Sequence, residues 1–452
     1  MALWIQNKRD FRTVNHPAGC WLGLVLVLLS YQARAQKRWS LQECLQYACE
    51  NNLQVQQAGL AQEKSVLRLK AARSVYLPVV DARIRTAGNW GFIIDPSTND
   101  LDSRFNFGNQ ASLNLSLDVF NGFTLVHQLK LRNQEVNVAT FEHQIVSNTV
   151  SLAVIYSYLQ VLLVQEQLKT AQERSRSLQH QHRKQKALIE KGLSSKRDLL
   201  SLQSLIASED LLVSYAQNNF EQESARLTQV LGLPPGQPIA LDTVFMPELG
   251  PDQQQTLDEV LAEALASQPD LKAAQAGLQA SYHQWQIERA ATLPTVTLTA
   301  QMGTRTSNFK SESFINQLGV NMNRQVGLSL YIPILNRFTL RTNEQVAKLD
   351  VESSRLIYQQ IGQQLREKVI NAYLEHGAAV RKHQALRIQY TAFEEEHRYA
   401  ERTFELGGLD AVEYSVIRSR WVTAHSELLQ AQFACFFKQK VLDLYRGRLL
   451  SF

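Results

Sequence analysis

The feature that most constrains this chain is an internal duplication with a period of about 215 residues. Short stretches of the first copy return in the same order in the second. Residues 40–45 (SLQECL) match 256–261 (TLDEVL), 58–60 (AGL) match 276–278, 77–78 (LP) match 293–294, and 120–124 (FNGFT) match 335–339 (LNRFT). The order predicts a first repeat at 36–231, a second at 257–452, and a proline-rich linker or equatorial segment at 232–256.

The first 35 residues have the three parts of a secretory signal peptide. Lys8, Arg9 and Arg12 give a basic start, residues 21–29 form an apolar run, and Ala33-Arg34-Ala35 fits a cleavage site. The run is shorter than the roughly 20 residues that a spanning helix needs, so an uncleaved anchor is the weaker interpretation. No later segment is expected to form a transmembrane helix, so a later membrane crossing would have to be a barrel.

Charge gives no sign of nucleic-acid binding in the exported chain. Residues 1–35 hold four of the 47 Lys and Arg residues and one of the 42 Asp and Glu residues, which leaves a net charge of +2. A near-neutral chain lacks the basic footprint of a nucleic-acid-binding protein.

Four segments alternate between apolar and polar side chains with the period of two that is typical of β-strands. They predict strands at about 79–94, 105–119, 295–305 and 314–332. Strands of about ten residues or more, with one apolar and one polar face, suit a tilted bilayer crossing, and a half-buried sheet of a soluble domain is the alternative.

The polar faces of these strands are the candidate lining of a water-filled lumen. The candidate residues are Asp81, Arg83, Arg85, Asn114, Asp118, Asn321 and Asn323. Arg324 interrupts the apolar face of the fourth segment, so we expect it near a rim or shielded.

Each strand pair is followed by about 70 residues without proline, which would form a helix roughly 100 Å long. Glycines at Lys191-Gly192-Leu193 and at Leu406-Gly407-Gly408 predict that the chain turns back, giving long helical hairpins at about 121–231 and 336–447. The returning helices share heptad register, with Glu209 and Glu223 as polar breaks and Cys435 as a small core residue. Shorter helices are expected at about 41–75 and 257–292.

Four strands cannot close a membrane barrel, and open strand edges are not tolerated in hydrocarbon, so the chain is expected to oligomerise. Two copies would give eight strands with a packed interior. Three copies would give twelve strands and a lumen that water can fill, and we favour three.

The order of these features resembles the TolC family of outer-membrane efflux proteins, over nearly all of the exported chain. The resemblance rests on the duplicated halves, Leu-Pro before an alternating strand, the Val-Phe-Asn-Gly-Phe stretch at 119–123 and the glycine-tipped hairpins. It implies a mixed α and β fold in which a trimeric, twelve-stranded transmembrane β-barrel, four strands per chain, continues as a long α-helical coiled-coil tunnel across the periplasm.

The resemblance also implies a function and a site. The expected function is that of a passive channel-tunnel in the outer membrane of a Gram-negative cell, serving a tripartite efflux or type I secretion system. The expected partners are two further copies, outer-membrane lipid, a periplasmic adaptor (membrane fusion protein) and an inner-membrane pump. The adaptor-docking tips would be Lys191, Gly192, Leu193, Leu406, Gly407 and Gly408, and the periplasmic aperture would be formed by Asp198, Asp410 and Glu413.

Two departures from the family pattern concern the aperture. Val416 stands where a second aperture carboxylate is expected, and Leu409 stands where an arginine helps to latch the gate in a known relative. The latch chemistry of that relative therefore cannot be assigned to this chain. Asp410 either takes over part of this role or is an acid at the N-terminus of a helix, where a negative charge is favourable.

Other classes of function have little support in the sequence. The histidines do not have the spacing of a metal site, and no catalytic or phosphate-binding motif is present, so no metal, cofactor or enzymatic activity is expected. A soluble periplasmic coiled-coil scaffold or adaptor without a channel is the alternative, although it would not need four alternating strands. The cargo, whether a small molecule or a polypeptide, cannot be predicted from a passive tunnel.

Overall fold

A computed structural model describes residues 38–94, 101–103, 105–191, 195–234, 236, 239–242, 256–308, 312–406, 408–409 and 411–448. The predicted signal peptide and most of the predicted linker lie outside the described residues.

The two repeats share the order of their main elements. The first contains β1 (Arg38–Trp39), α1 (Leu41–Asn51), α2 (Leu53–Ser74), β2 (Val79–Asn89), β3 (Ile93–Ile94), β4 (Leu101–Asp102), β5 (Asn106–Asn121), α3 (Thr124–Glu190) and α4 (Lys196–Leu231). After β6 (Ala240–Leu241), the second contains α5 (Leu257–Ser267), α6 (Pro269–Ala290), β7 (Thr295–Ser307), α7 (Phe314–Val320), β8 (Asn323–Tyr331), α8 (Thr339–Glu405) and α9 (Ala411–Tyr445). The short strands β3 and β4 of the first repeat are replaced by the helix α7 in the second.

The long helices agree with the sequence pattern. Both α3 and α8 have 67 residues, and each is followed by a returning helix that packs along it. At about 1.5 Å per residue each long helix extends roughly 100 Å.

The predicted helices at 41–75 and 257–292 are each two helices, and the prediction of continuous helices was wrong. Asn52 and Gln268 are extended, with ψ of 128° in both. Pro269 disfavours the helical conformation at Gln268, whereas the Asn52 side chain accepts a hydrogen bond from the Gln54 backbone N–H and so starts a new helix. The breaks also correct the alignment of the repeats, because they place Ala58 opposite Ala274 and not opposite Ala276.

Both breaks are held by the returning helix of the same repeat. The Asn52 amide donates to the Val230 carbonyl at 2.8 Å, and the Gln268 amide donates to the Leu444 and Tyr445 carbonyls at 2.7 Å. The two repeats therefore share not only sequence but also this hydrogen bond from the helix break to the end of the returning helix.

The four long strands form one antiparallel sheet in the order β2-β5-β7-β8, with the contact between the repeats at its centre. A β-bulge lies between Asp118 and Phe120. The bulge inserts Val119 as an extra residue in β5, so Phe120 lies opposite Val296. The predicted alternation of apolar and polar side chains therefore changes phase at residue 119.

The predicted fourth strand, at about 314–332, is wrong over its first part. Residues 314–320 form α7, and β8 begins only at Asn323. Ser313 caps α7 by accepting from the Asn316 N–H, which favours a helix start that the alternating apolar residues concealed.

The main hydrophobic cores lie where the short helices α1 and α5 pack on the hairpins. In the first repeat Cys44 and Ala48 of α1 contact the buried Val154, Ile155 and Tyr158 of α3. In the second repeat Val260 and Ala264 of α5 pack against α8. Cys435 is buried, which agrees with its predicted role as a small core residue.

One helix in the described part of the chain, over 124–187, is long and apolar enough to cross a membrane by length and composition. The expectation that no such segment would occur was therefore wrong. Val154, Ile155 and Tyr158, which contribute to this apolar character, are completely buried inside the protein. Packing against α1 accounts for their apolar character without a membrane.

Candidate functional site

One face of the sheet is polar across all four strands, because the pairing register aligns the alternating residues. Asp81 lies beside Asn114, which lies beside Gln301 and then Gln325. The next row contains Arg83, Ser112, Gly303 and Asn323. The predicted lumen residues of β2, β5 and β8 thus share one face.

Hydrogen bonds connect these polar side chains across the strands. The Asn114 amide donates to Asp81 Oδ1 at 3.0 Å, and Arg83 Nε lies 3.1 Å from the same oxygen. Asp118 accepts from the Thr297 hydroxyl at 3.0 Å. These groups are exposed or only partly buried, so their interactions orient side chains and contribute little to stability.

The opposite face of the sheet is apolar and uncovered. Its side chains, among them Val80, Leu113, Val326, Leu328 and Leu330, are exposed. Arg324 lies on this face one residue from the start of β8, beside Met302. A soluble domain normally buries such a surface under a second layer, and a lipid-facing sheet does not.

The polar face carries a cavity of about 320 Å³ beside α7, lined by Gln110, Ser112, Arg305, Asn321 and Asn323 among others. The predicted lumen residue Asn321 is the C-cap of α7 and not a strand residue. Its amide donates to the Arg305 carbonyl at 2.7 Å, so Asn321 still lies at this cavity.

Gln317 fixes α7 to the end of β7, and sequence reasoning missed this role. Its amide accepts from the Ser307 N–H at 2.8 Å and donates to the Ser307 and Glu312 carbonyls. The side chain is almost completely buried. Gln317 therefore takes the place of a neighbouring strand where β8 has not yet begun.

The hairpin tips are described only in part. Lys191 and Leu406 are exposed, and the Gly408 N–H donates to the Thr403 carbonyl at 2.9 Å. Gly192, Leu193, Gly407 and Asp410 lie outside the described residues.

The aperture candidates lie at the starts of the returning helices. Glu413 is exposed in the first turn of α9, and Asp198 belongs to the first turn of α4, where only its backbone is described. Val416, at the position that lacks the expected carboxylate, is exposed.

A polar contact between the two hairpins was also not predicted. The Arg418 guanidinium of α9 donates to Ser177 Oγ of α3 at 2.7 Å, and Gln167 of α3 donates to Ser426 of α9 at 3.2 Å.

Glu209, predicted as a polar break in the heptads, forms an ion pair with Arg174 at 2.7 Å. Burial raises the pKa of Glu209, while Arg174 opposes the shift.

The second hairpin contains an aromatic cluster close to its tip. His397 stacks on Trp421 with ring centroids 4.4 Å apart, and Phe404 stacks on Tyr414 at 4.6 Å. Burial lowers the pKa of His397, with a smaller opposing effect of Glu401. Tyr414 and Trp421 were predicted as heptad positions, but the cross-helix stacking with His397 could not be read from spacing alone.

The sequence matches the family model described as outer membrane efflux protein at residues 44–233 and 260–439, which together cover most of the chain and both repeats. The chain belongs to the outer membrane efflux protein family. The protein is therefore located in the outer membrane and extends into the periplasm. It functions as an outer-membrane efflux channel. The alternative of a soluble periplasmic scaffold was wrong.

The efflux protein is similar to the pyoverdine export outer membrane protein OpmQ of Pseudomonas putida, with 25% identity over 334 residues that cover 71% of this chain and 68% of OpmQ. Its fold is similar to that of the CmeC outer membrane channel of Campylobacter jejuni, with a TM-score of 0.76, 14% identity, and coverage of 98% of this chain and 94% of CmeC. The MtrE outer membrane channel of Neisseria gonorrhoeae gives a TM-score of 0.72 at 19% identity, with coverage of 90% and 88%. These family members are channel proteins and not enzymes.

Proposed function

We propose that three copies of this chain form one channel-tunnel, in which a twelve-stranded barrel crosses the outer membrane and twelve long helices cross the periplasm. The tunnel would receive its cargo from a periplasmic adaptor and an inner-membrane pump, in a tripartite efflux or type I secretion system. The uncovered sheet, with one polar and one apolar face, is the observation that carries the proposal. Such a sheet is stable when lipid covers the apolar face and water wets the polar one.

The contact between the repeats supplies a template for the contact between copies. Within the chain, α3 of the first repeat packs on α6 of the second, and β5 pairs with β7. The corresponding outer elements are α8 and β8 at one end and α2 and β2 at the other. A head-to-tail contact of α8 and β8 with α2 and β2 of the next copy would repeat the internal contact and close a ring.

The exposed side chains on α2 support this contact. Pro269, Ala276 and Ala290 of α6 are buried and lie seven and fourteen residues apart, on the helix face that also carries His283, which meets His127 of α3. The equivalent residues Leu53 and Leu60 of α2 are 76% and 66% exposed, and Leu67 on the same face is 58% exposed. A leucine stripe of this kind favours burial against a second copy.

The charged residues of the polar face support three copies over two. The polar face carries charged side chains such as Asp81 and Arg83, which require water. Eight strands leave an interior that side chains fill, whereas twelve leave room for water, which favours three copies over two.

The hairpin tips are proposed to bind the adaptor, and Asp198, Asp410 and Glu413 to narrow the periplasmic end. The exposed Lys191 and Leu406 support the first role, because they lie at the end of the molecule that a periplasmic partner can reach. The second role rests on carboxylates at the starts of α4 and α9, where they would attract cations.

Conductance in a planar lipid bilayer tests the channel and the aperture together. The purified protein is expected to give stepwise, cation-selective currents, and the double variant Asp198→Ala, Glu413→Ala is expected to lose most of the selectivity. Asp258→Ala, at the start of α5, is the matched control, since it removes an exposed acid far along the chain from either tip. Absence of current steps would overturn the channel proposal, and unchanged selectivity in the double variant would exclude the two carboxylates.

A further inference from the structure

Two histidines meet across the contact between the repeats, just below the sheet. His127 is in the first turn of α3, and His283 is two turns before the end of α6. Their Nδ1 atoms are 3.5 Å apart, and their ring centroids are 5.7 Å apart. Both side chains are half-buried.

The separation of the two nitrogens suits a shared metal ion better than a hydrogen bond. N–H···O hydrogen bonds have donor–acceptor distances of about 2.7–3.2 Å, so a contact of 3.5 Å between two ring nitrogens is at the long limit for a hydrogen bond. Two imidazole nitrogens bound to one tetrahedral Zn²⁺ at about 2.0–2.1 Å are roughly 3.4 Å apart. The observed distance agrees with the second geometry with little movement of either ring.

We propose that His127 and His283 bind one divalent transition-metal ion of the zinc type through their Nδ1 atoms. Within the described residues no group of three or more His, Cys, Asp or Glu side chains is arranged to hold a metal. Water or another small ligand would therefore complete the coordination. The ion would tie α3 to α6 where the helical part of the molecule begins.

Lys130 lies close enough to both histidines for its charge to act on them. A positive charge here opposes a bound cation, so the affinity should be lower than in sites with three histidines.

The pair breaks the internal symmetry of the chain. The starts of α3 and α8 align His127 with Thr342, and the starts of α2 and α6 align His283 with Leu67. Thr342 and Leu67 cannot replace a pair of imidazole ligands. The site would occur once in each chain and would be absent from the equivalent contact between copies.

Zinc binding by the full exported chain tests the site, with the protein purified in detergent and free of any polyhistidine tag. Calorimetric titration with Zn²⁺ should give one ion per chain, and the zinc complex should have a raised thermal midpoint. His127→Ala and His283→Gln should each abolish both effects. His180→Ala, which removes an exposed histidine of α3, should retain both.

Three results would overturn the proposal. The first is the absence of zinc binding in the unchanged protein. The second is zinc binding in the variants that equals that of the unchanged protein, and the third is loss of binding in His180→Ala. His283→Gln keeps a polar side chain of similar length, whereas His127→Ala removes the side chain. Because the two variants alter the site in different ways, a folding defect in one of them does not decide the result. Conductance is measured separately, so failure of the zinc site leaves the channel proposal unaffected.

Discussion

At the scale of the residue, both turns from strand to helix use two consecutive left-handed residues. Gly122 and Phe123 have φ of 63° and 68°, and Arg337 and Phe338 have 56° and 61°. Gly122 is also required by space, since a Cβ there would lie 2.6 Å from the Ala290 carbonyl oxygen. Arg337, at the equivalent position in the second repeat, adopts the same left-handed conformation, which usually favours glycine.

Gly122→Ala should therefore destabilise the protein. The left-handed backbone alone costs about 1–2 kcal/mol for a residue with a Cβ, and the contact with Ala290 adds to it. Gly277→Ala in α6 is the control, because its Cβ meets nothing within 4 Å and should stabilise the helix by about 0.5–1 kcal/mol. Denaturant midpoints in detergent measure both, and equal shifts would contradict the steric argument.

His397 should make the second hairpin sensitive to acid. Its pKa is lowered in the folded state by burial, so the unfolded chain binds the proton more readily. The stabilisation by neutral His397 is fully present above its unfolded pKa of about 6.5 and is lost as the pH falls from that value through the lower pKa of the folded protein. Arg418 also lowers the pKa of His397, in the same direction as burial.

Thermal midpoints are compared at about pH 7.5 and about pH 5.5, above and below the unfolded pKa of histidine. His397→Phe keeps an aromatic ring on Trp421 and should show a smaller loss of midpoint on acidification than the unchanged protein. His180→Phe, at an exposed position, should keep the full loss. An identical pH dependence in His397→Phe would exclude His397 as the origin.

At the scale of the element, α7 is a short helix held by side chains and not by a sheet. Besides Gln317, Thr304 donates to the Leu318 carbonyl at 2.9 Å and Asn321 donates to that of Arg305. The helix lies along the edge of β7, at the end far from the long helices, and Gln317 and Asn321 border the cavity on the polar face.

Gln317→Ala should release α7 from β7. The change removes three hydrogen bonds and leaves the Ser307 backbone groups without this partner, which should lower the local opening free energy by about 2 kcal/mol. Amide hydrogen exchange of the peptide 312–322 should then accelerate. Asn316→Ala, at an exposed position on the same helix, should exchange nearly as the unchanged protein does, and similar rates in both variants would show that Gln317 does not hold the helix.

At the scale of the whole molecule, the chain is a unit with matched ends. The sheet begins with β2 and ends with β8, and α2 and α8 lie at the corresponding ends of the helical part. The internal contact between the repeats is the proposed geometry for a contact between these ends of neighbouring copies. Assembly is the proposed means of burying the leucine stripe of α2.

Leu60→Asp should prevent this assembly. A charge at the centre of the stripe would be buried without a partner, which is strongly unfavourable. The expected result is a monomer by native mass spectrometry in detergent. Val66→Asp is the matched control, because Val66 is exposed on α2 and its equivalent Tyr282 on α6 is also exposed; a monomer with both variants would place the contact elsewhere.

The sequence by itself determined the local structure and the duplication. Alternation predicted the strands because side chains on a strand point to opposite faces, and the absence of proline predicted the long helices. The breaks at Asn52 and Gln268 were not predicted. Pro269 was a visible signal for the second, but both breaks depend on carbonyls at the ends of returning helices far along the chain.

Only the tertiary structure decided the contacts between distant segments. The register of four strands aligned the polar residues into rows, Gln317 converted a predicted strand into a helix packed on β7, and the packing of α3 on α6 brought His127 to His283. Periodicity shows which face of an element is apolar, because it reflects local geometry. It does not show which element covers that face, because the partner is chosen by packing across the whole molecule.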